Sequence, residues 1–220
     1  MEVSTNGPFD IGNMIIQLSQ TKTDWRPTME DYSFADEIML SKMIQPHAAI
    51  AIYGVCDGHG GKSVANFVSK NMRNIIEEGL SELKTPDELL NKALMTKILC
   101  NCFALLETKL ESTRSLDEIR TVGSTCAMVL CSRSLNVFYT INCGDSSVLG
   151  ICYDPSSKAI KISRISRLHK PDLIDETARI KNAGGFVTDY PGVPRLCGVL
   201  AVSRCFGDYD HRKYGLTQVP

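Results

Sequence analysis

The chain has 220 residues, of which 43% are hydrophobic and 22% charged, which is an ordinary composition for a globular protein. Its 24 basic and 25 acidic residues nearly cancel, so the formal net charge is −1. This balance argues against a protein that binds nucleic acid or an anionic membrane surface through a basic patch. We therefore expect neither as a partner.

The length fits a single domain over residues 1–220, and no low-complexity block or linker divides it. No apolar run reaches the roughly 20 residues that a membrane-spanning helix needs. The first residues also lack the basic and apolar regions of a signal peptide. The nine cysteines are irregularly spaced and contain no Cys-x-x-Cys pair. Reduced thiols in a cytoplasmic protein, or one that is also nuclear, are the expected interpretation.

The N-terminal half predicts strands followed by a pair of helices. Apolar residues predict a first strand over residues 11–18 and a buried strand over residues 49–56. Helical spacing of apolar residues follows over residues 62–80. Residues 85–88, Thr-Pro-Asp-Glu, combine an N-cap, a first-turn proline and a capping-box glutamate. They predict a long second helix, over residues 85–111 and antiparallel to the first.

The C-terminal half predicts an antiparallel meander and one further helix. Short β-branched segments separated by turn residues predict strands over residues 125–131, 136–142, 147–153 and 159–165. A helix over residues 173–182 would end at Gly184 and Gly185. Strands, then two helices, then hairpin-connected strands indicate an α+β layered fold and not a repeating βαβ fold.

The most informative segment, residues 49–61, places an aspartate at the end of an almost unbroken apolar strand. A carboxylate at the end of a rigid buried strand is held in one position, which suits a metal ligand. The glycines after Asp57 let the backbone turn sharply and approach an ion or a phosphate closely. Taken alone, an Asp-Gly pair is more often a loop that merely ends a strand.

Two other phosphate chemistries compete for the same segment. Residues 56–63 are one residue short of a nucleotide-binding P-loop, because Cys56 stands where its first glycine should be. Asp57 would also put negative charge into a loop built to hold phosphate. A cysteine-based phosphatase would need an arginine to close the loop after Cys56, and the chain has Lys62 there. Both alternatives are weaker than a metal site.

A metal site is favoured by the segment that contains Arg26, Glu30 and Asp31. Arginine can bind a phosphate through two parallel hydrogen bonds, which lysine cannot reproduce. Two adjacent carboxylates can orient metal-bound waters. In isolation this segment is more often a solvated turn with a salt bridge.

Seven sequence blocks connect these residues to a known family. The chain resembles the metal-dependent serine/threonine protein phosphatases of type 2C in residues 26–31, 55–61, 123–126, 142–146, 169–171, 176–180 with 183–185, and 200–208. The blocks occur in the family's order and with its approximate spacing. The resemblance implies a central antiparallel β-sandwich flanked by antiparallel helix pairs, in four layers, with the metal site at one end between the sheets.

The resemblance also implies a reaction and a metal site. The reaction is hydrolysis of phosphoserine and phosphothreonine in phosphoprotein substrates, by a water that is activated at a site of two Mg²⁺ or Mn²⁺ ions. Asp57 would bridge the two ions, and the carbonyl of Gly58 would bind one of them. Glu30 and Asp31 would hold metal-bound waters.

The resemblance assigns the substrate contacts to other residues. Arg26 would bind the phosphate, and His59 would be the general acid for the leaving serine or threonine oxygen. Asp145 resembles an acid that is associated with a weaker third metal. Its alternative role is structural, as an acceptor for the amides of the turn over residues 144–146.

The chain departs from the family pattern in three places. Leu168 and Cys197 stand where the family usually has aspartate and asparagine. The larger departure follows from the resemblance, which implies further C-terminal strands with metal-binding aspartates that we expect residues 1–220 to lack. Asp208 and Asp210 have a different sequence context and do not replace them. We therefore expect weak metal binding and slow turnover.

The missing strands lead to two further expectations. An alternative function is that of a catalytically weak or inactive pseudophosphatase, which binds phosphoproteins or regulators through the same surface. Exposed sheet edges and apolar faces also predict self-association of the chain.

Overall fold

A computed structural model of the chain describes residues 2–11, 14–22, 27–39, 49–189 and 192–220. The elements of the N-terminal half are β1 (Glu2–Ile11), β2 (Met14–Lys22), β3 (Tyr32–Met39), β4 (Ala49–Cys56), β5 (Gly58–His59), α1 (Ser63–Leu80), a 3-10 helix (Pro86–Leu90), α2 (Lys92–Thr113) and α3 (Leu116–Ile119). Those of the C-terminal half are β6 (Gly123–Ser124), β7 (Cys126–Ser132), β8 (Val137–Cys143), β9 (Leu149–Asp154), β10 (Ala159–Arg164), α4 (Ile174–Asn182), β11 (Val187–Asp189), β12 (Pro194–Leu196), β13 (Phe206–Gly207) and a second 3-10 helix (Tyr209–Tyr214).

The largest sheet has the strand order β3-β4-β7-β8, and every neighbouring pair is antiparallel. Helix α1 packs against β3 and β4, and α2 packs against α1. The main core lies between this sheet and these helices, and includes Ile50, Ile52, Val68, Met72 and Phe103. The predicted α+β class with antiparallel sheets is confirmed. In the part of the chain that the structure describes, no helix is both long and apolar enough to cross a bilayer.

The predicted first helix agrees closely with α1. Its apolar residues recur at helical spacing and are buried, as at Val64, Val68, Met72 and Ile76. The predicted strands of the C-terminal half correspond to β7, β8, β9 and β10, with ends that differ by at most two residues. Helix α4 ends at residue 182, and Gly184 follows it with φ +81°, as expected of a helix-terminating glycine.

Two predicted elements differ from the structure. The strand predicted over residues 11–18 is the second strand of a hairpin, β1–β2, and extends to Lys22. The long helix does not begin at Thr85. Residues 86–90 form a 3-10 helix, and the backbone leaves the helical region at Asn91 before α2 begins.

The interruption before α2 has a local and a tertiary cause. The carboxylate of Glu88 accepts the backbone N–H of Lys84 at 2.7 Å, one residue before the expected cap. Asn91 instead caps α2, since its side chain accepts the N–H of Leu94 at 3.2 Å. The side chain of Leu89 is buried, and its carbonyl accepts the hydroxyl of Tyr139. These contacts fix the 3-10 helix through the buried side chain of Leu89 and are not compatible with a continuous helix from Thr85.

The hairpin of β9 and β10 has an exposed apolar face. Ile151 pairs with Ile162, and Tyr153 pairs with Ile160, so these four side chains share one face of the hairpin. Each of the four is at least 60% exposed. We call this surface the hairpin face.

A buried ion cluster joins α4 to the segment before β13. The carboxylate of Glu176 accepts the hydroxyl of Ser203 at 2.6 Å and the Nε of Arg204 at 3.0 Å. It also accepts an Nη of Arg179 at 2.5 Å. Burial alone would raise the pKa of Glu176, but these hydrogen bonds outweigh it and lower the pKa to about 2. The cluster fixes the chain that leads into Phe206 and Gly207.

Candidate active site

Four strand ends meet at one edge of the central sheet. β3 begins opposite the end of β4, because Tyr32 pairs with Cys56. β7 begins opposite the end of β8, because Cys126 pairs with Cys143. Antiparallel pairing therefore brings four flanking segments to the same edge, namely residues 27–31, 57–62, 123–125 and 144–148. We call this edge the site edge.

Asp57 follows β4 directly and is fixed through its backbone. Its N–H donates to the hydroxyl of Thr125 at 3.1 Å, and its carbonyl accepts the N–H of Thr125 at 2.9 Å. The Thr125 hydroxyl also lies 2.6 Å from that of Ser146. Residue 57 as a whole is exposed. The turn over residues 144–146 is thus linked to Asp57 through one threonine.

Gly58 allows the Glu30 backbone to approach closely. A Cβ at residue 58 would lie 2.5 Å from the carbonyl oxygen of Glu30, so a larger residue would push that segment away. The Glu30 carboxylate accepts the hydroxyl of Thr28 at 2.8 Å, and Asp31 directly precedes β3. The structure therefore brings Glu30, Asp31, Asp57 and Gly58 to the site edge. Arg26 lies outside the described residues.

His59 contacts an acid to which sequence reasoning gave no role. Its Nε2 lies 2.5 Å from Oδ2 of Asp208, a carboxylate that is almost completely buried. Burial works against the charged imidazole, but the hydrogen bond to Asp208 and the nearby carboxylates of Asp57 and Asp145 outweigh it. The pKa of His59 is therefore raised. The sequence marked Asp208 only as the last residue of the block over residues 200–208 and gave no indication of its partner.

Cys205 completes a group of three with His59 and Asp208. Among the described residues, this is the only group of three or more His, Cys, Asp or Glu side chains whose ligand atoms all lie within 4.8 Å of one another. The Cys205 thiol donates to Oδ2 of Asp208 at 3.2 Å. Two tetrahedral ligands of one zinc ion would be separated by about 3.3 Å, which is longer than the 2.5 Å between His59 and Asp208. The group has the geometry of a hydrogen-bonded network.

Asp145 has a partner that neither interpretation of the sequence predicted. Its carboxylate accepts the ammonium group of Lys170 at 2.5 Å, and both side chains are partly exposed. Lys170 belongs to the block over residues 169–171. A cation that binds Asp145 would have to compete with this ammonium group.

The donors at the site edge fit hard divalent ions. The side chains of Glu30, Asp31 and Asp57 and the carbonyl of Gly58 offer oxygen ligands, which Mg²⁺ and Mn²⁺ prefer. A rigid strand end holds Asp57 while leaving residue 57 exposed. The residue types and their placement are therefore suited to such ions.

Comparison with known proteins gives consistent relatives. The family model "Protein phosphatase 2C" matches residues 18–220. Protein phosphatase 2C 56 of Arabidopsis thaliana is 34% identical over 195 residues, which cover 83% of this chain and 42% of that protein. Protein phosphatase 1L of Bos taurus is 31% identical over 210 residues, which cover 94% of this chain and 53% of that protein. The chain spans about half the length of these relatives.

Solved structures show the same fold. A Caenorhabditis elegans sex-determining protein superposes with a TM-score of 0.69 at 23% identity, over 86% of this chain and 43% of that one. A phosphatase from Toxoplasma gondii superposes with a TM-score of 0.64 at 21% identity, over 89% of this chain and 67% of that one.

These matches decide between the competing interpretations of the segment around Asp57. The P-loop and cysteine-based interpretations have no support, since the matched family includes both the strand that ends at Asp57 and the blocks around it. On the extent of the family match and on its relatives, the chain belongs to the protein phosphatase 2C family.

Proposed function

We propose that this chain hydrolyses phosphoserine and phosphothreonine in proteins with the help of Mg²⁺ or Mn²⁺ at the site edge. The observation that carries the proposal is the meeting of oxygen donors and an imidazole at one edge of the central sheet. Glu30, Asp31, Asp57 and Gly58 come from the ends of two paired strands, and His59 follows immediately. Family membership makes phosphate-monoester hydrolysis the chemistry to test.

Each metal-binding role is assigned to a residue type that suits it. Asp57 would bridge two ions, and the Gly58 carbonyl would bind one of them. Glu30 and Asp31 would act through waters. When bound, such ions lower the pKa of a water and offset the charge of the phosphate during in-line attack. The attachment of the Asp57 backbone to β4 and Thr125 supports its role, because a fixed backbone reduces the reorganisation needed on binding.

The substrate contacts are assigned to two further residues. Arg26 would bind the phosphate oxygens through its planar guanidinium. His59 would give a proton to the serine or threonine oxygen as the P–O bond breaks, because an alkoxide is a poor leaving group. For Asp145, the ion pair with Lys170 favours a structural role over a third metal.

One observation favours a second candidate, phosphoprotein binding without turnover. In the described part of the chain, Asp57 does not belong to any group of three ligand side chains within 4.8 Å of one another. A site with few direct carboxylates holds Mg²⁺ weakly. Such a chain could still bind a phosphopeptide.

Release of phosphate from a phosphothreonine peptide, measured with and without Mn²⁺, tests the proposal. We expect Mn²⁺-dependent turnover by the wild-type chain, and a loss of about 100-fold or more in Asp57→Asn. Asp87→Asn is the matched control, since this exposed aspartate lies in the first 3-10 helix and should leave turnover unchanged.

Two results would contradict the enzymatic proposal. One is turnover that is insensitive to Asp57→Asn, and the other is the absence of Mn²⁺-dependent turnover. In the second case, fluorescence anisotropy with a fluorescently labelled form of the phosphothreonine peptide would show whether the chain binds the peptide without hydrolysing it.

A further inference from the structure

His59 and Asp208 meet across the middle strand of a small sheet. The strand order is β13-β6-β5, and Gly123 in β6 is opposite His59 on one side and Gly207 on the other. A Cβ at residue 123 would lie 2.5 Å from Nε2 of His59 and 2.2 Å from Oδ2 of Asp208. The absence of a side chain at residue 123 therefore lets the imidazole and the carboxylate meet.

Asp208 is held in place by several constraints. Its residue surface is 1% exposed, and its N–H donates to the carbonyl of Val122 at 3.0 Å. Its φ of +51° lies in the left-handed region, which residues other than glycine adopt uncommonly. Such conformations persist where the surrounding structure imposes them, often at functional sites. The backbone thus aims this carboxylate in a defined direction.

The buried carboxylate needs donors, and few are close. Among the described residues, the side chains that donate to Asp208 are His59 and Cys205. The neighbouring guanidinium of Arg212 binds Glu107 and the carbonyls of Cys205 and Gly207 instead. An unpaired buried carboxylate is strongly unfavourable. His59 is therefore its main partner, and the contact engages Nε2 of the ring.

We propose that Asp208 is the positioning residue of His59 in the reaction, and that Nδ1 is the ring atom that gives up the proton. This inference rests on the proposed function. Asp208 accepts the proton on Nε2 as a hydrogen bond and so fixes the ring and its tautomer. Nδ1 is the nitrogen left for the substrate.

The proton and electron balance of the step is simple. Water adds to phosphorus, and the P–O bond to the serine or threonine oxygen breaks with its electron pair on that oxygen. The oxygen takes the Nδ1 proton, which leaves a neutral ring whose Nε2–H still donates to Asp208. Water supplies the hydroxyl of the phosphate product, and its released proton restores the charge balance when His59 is reprotonated from solvent.

The first test is NMR on the metal-free, ¹⁵N-labelled chain, and it does not depend on activity. The chain has four histidines, and His59→Gln identifies the signals of residue 59. We expect the neutral ring to carry its proton on Nε2. The ¹H resonance of this hydrogen-bonded proton should lie downfield and should move upfield in Asp208→Asn. An identical His59 spectrum in wild type and Asp208→Asn, or a neutral ring protonated on Nδ1, would overturn the proposal.

The second test compares two substrates with Mn²⁺ present. A phosphothreonine peptide needs a proton on its leaving oxygen, whereas 4-nitrophenyl phosphate releases a stable anion. We expect Asp208→Asn to lower kcat about tenfold or more on the peptide, with KM unchanged, and to change the aryl phosphate rate far less. Equal losses on both substrates would mean a structural role and would refute the proposal.

Two controls complete the comparison. Asp210→Asn removes a nearby carboxylate that pairs with Arg120 instead, and should leave both rates unchanged. In a His59→Gln background, Asp208→Asn should cause no further loss on the peptide, and a further loss would contradict action through His59. Should Asp208→Asn fail to fold, Gly123→Ala serves as the second variant, because a methyl group there must separate the pair.

Failure of the proposed function is recognised separately. If the wild-type chain hydrolyses neither substrate, the proposed phosphatase activity fails. The NMR comparison then decides by itself whether Asp208 holds His59 at Nε2.

Discussion

The buried cluster around Glu176 gives a quantitative prediction for Glu176→Gln. The substitution keeps the shape of the side chain and removes its charge, so Arg204 and Arg179 lose their carboxylate partner. Residue 176 is fully buried, and the Arg204 side chain is 14% exposed, so solvent compensates little for the loss. The variant should fold less stably, by an amount that depends on pH.

The pKa of Glu176 sets the magnitude of the stability loss expected in Glu176→Gln. Its fall from the ordinary 4.5 to about 2 corresponds to about 3 kcal/mol of folding free energy. Because the folded pKa lies below the unfolded one, this contribution is complete above pH 4.5 and is lost as the pH falls toward 2. The difference between wild type and variant should be about 3 kcal/mol at pH 6 and about 2 kcal/mol at pH 3.5.

Urea unfolding followed by circular dichroism at the two pH values measures this difference. Glu82→Gln is the control, since residue 82 is an exposed glutamate just after α1, and it should change stability by less than about 0.5 kcal/mol at either pH. A difference for Glu176→Gln that is below 1 kcal/mol at pH 6, or that does not shrink on acidification, would refute the reasoning.

Three other predictions concern separate parts of the molecule. Burial and the charge of Arg204 lower the pKa of His169 to about 4, so NMR should show a neutral ring at pH 5.5. Because the folded pKa lies below the unfolded value of 6.5, the free energy of unfolding should fall as the pH falls from 6.5 toward 4. Cys197 has φ +50°, a left-handed conformation that asparagine tolerates better than cysteine. Cys197→Asn should therefore raise the free energy of unfolding by about 0.5–1 kcal/mol. An unchanged midpoint of urea unfolding would show that the backbone at residue 197 is not strained. The hairpin face should drive self-association, which Ile151→Thr with Ile162→Thr should reduce in analytical ultracentrifugation, whereas a monomeric wild-type chain would contradict the idea.

The fold was largely predictable where local pattern and tertiary packing agree. Helix α1 illustrates this, because the same apolar stripe that marks it in the sequence is the face that packs on β3 and β4. The break at Asn91 was not predictable from residues 85–88 alone. It depends on the burial of Leu89 and on a hydrogen bond from Tyr139, which is 50 residues away in the chain.

In the site, too, the features that follow from local sequence pattern were predictable, and those that depend on distant contacts were not. Asp57 and Gly58 could be singled out because a buried strand ends there, and pairing of β3 with β4 then places Glu30 and Asp31 nearby. The partners of His59 and Asp145 could not be singled out, since Asp208 and Lys170 are brought in by contacts distant in sequence. Residue identity alone does not indicate that Asp208 faces an imidazole across a glycine.

The three-stranded sheet around Gly123 also bears on the order of folding. His59 and Asp208 are 149 residues apart, so their contact closes a very long loop. The chain entropy lost on closing that loop must be offset by favourable packing elsewhere. Phe206 in β13 contributes to this packing, since its ring contacts that of Phe103 in α2 with centroids 5.2 Å apart. We therefore expect the central sheet and α1 to form before β13 docks. A partly folded chain would then present Asp57 at a strand end before the contact between His59 and Asp208 has formed.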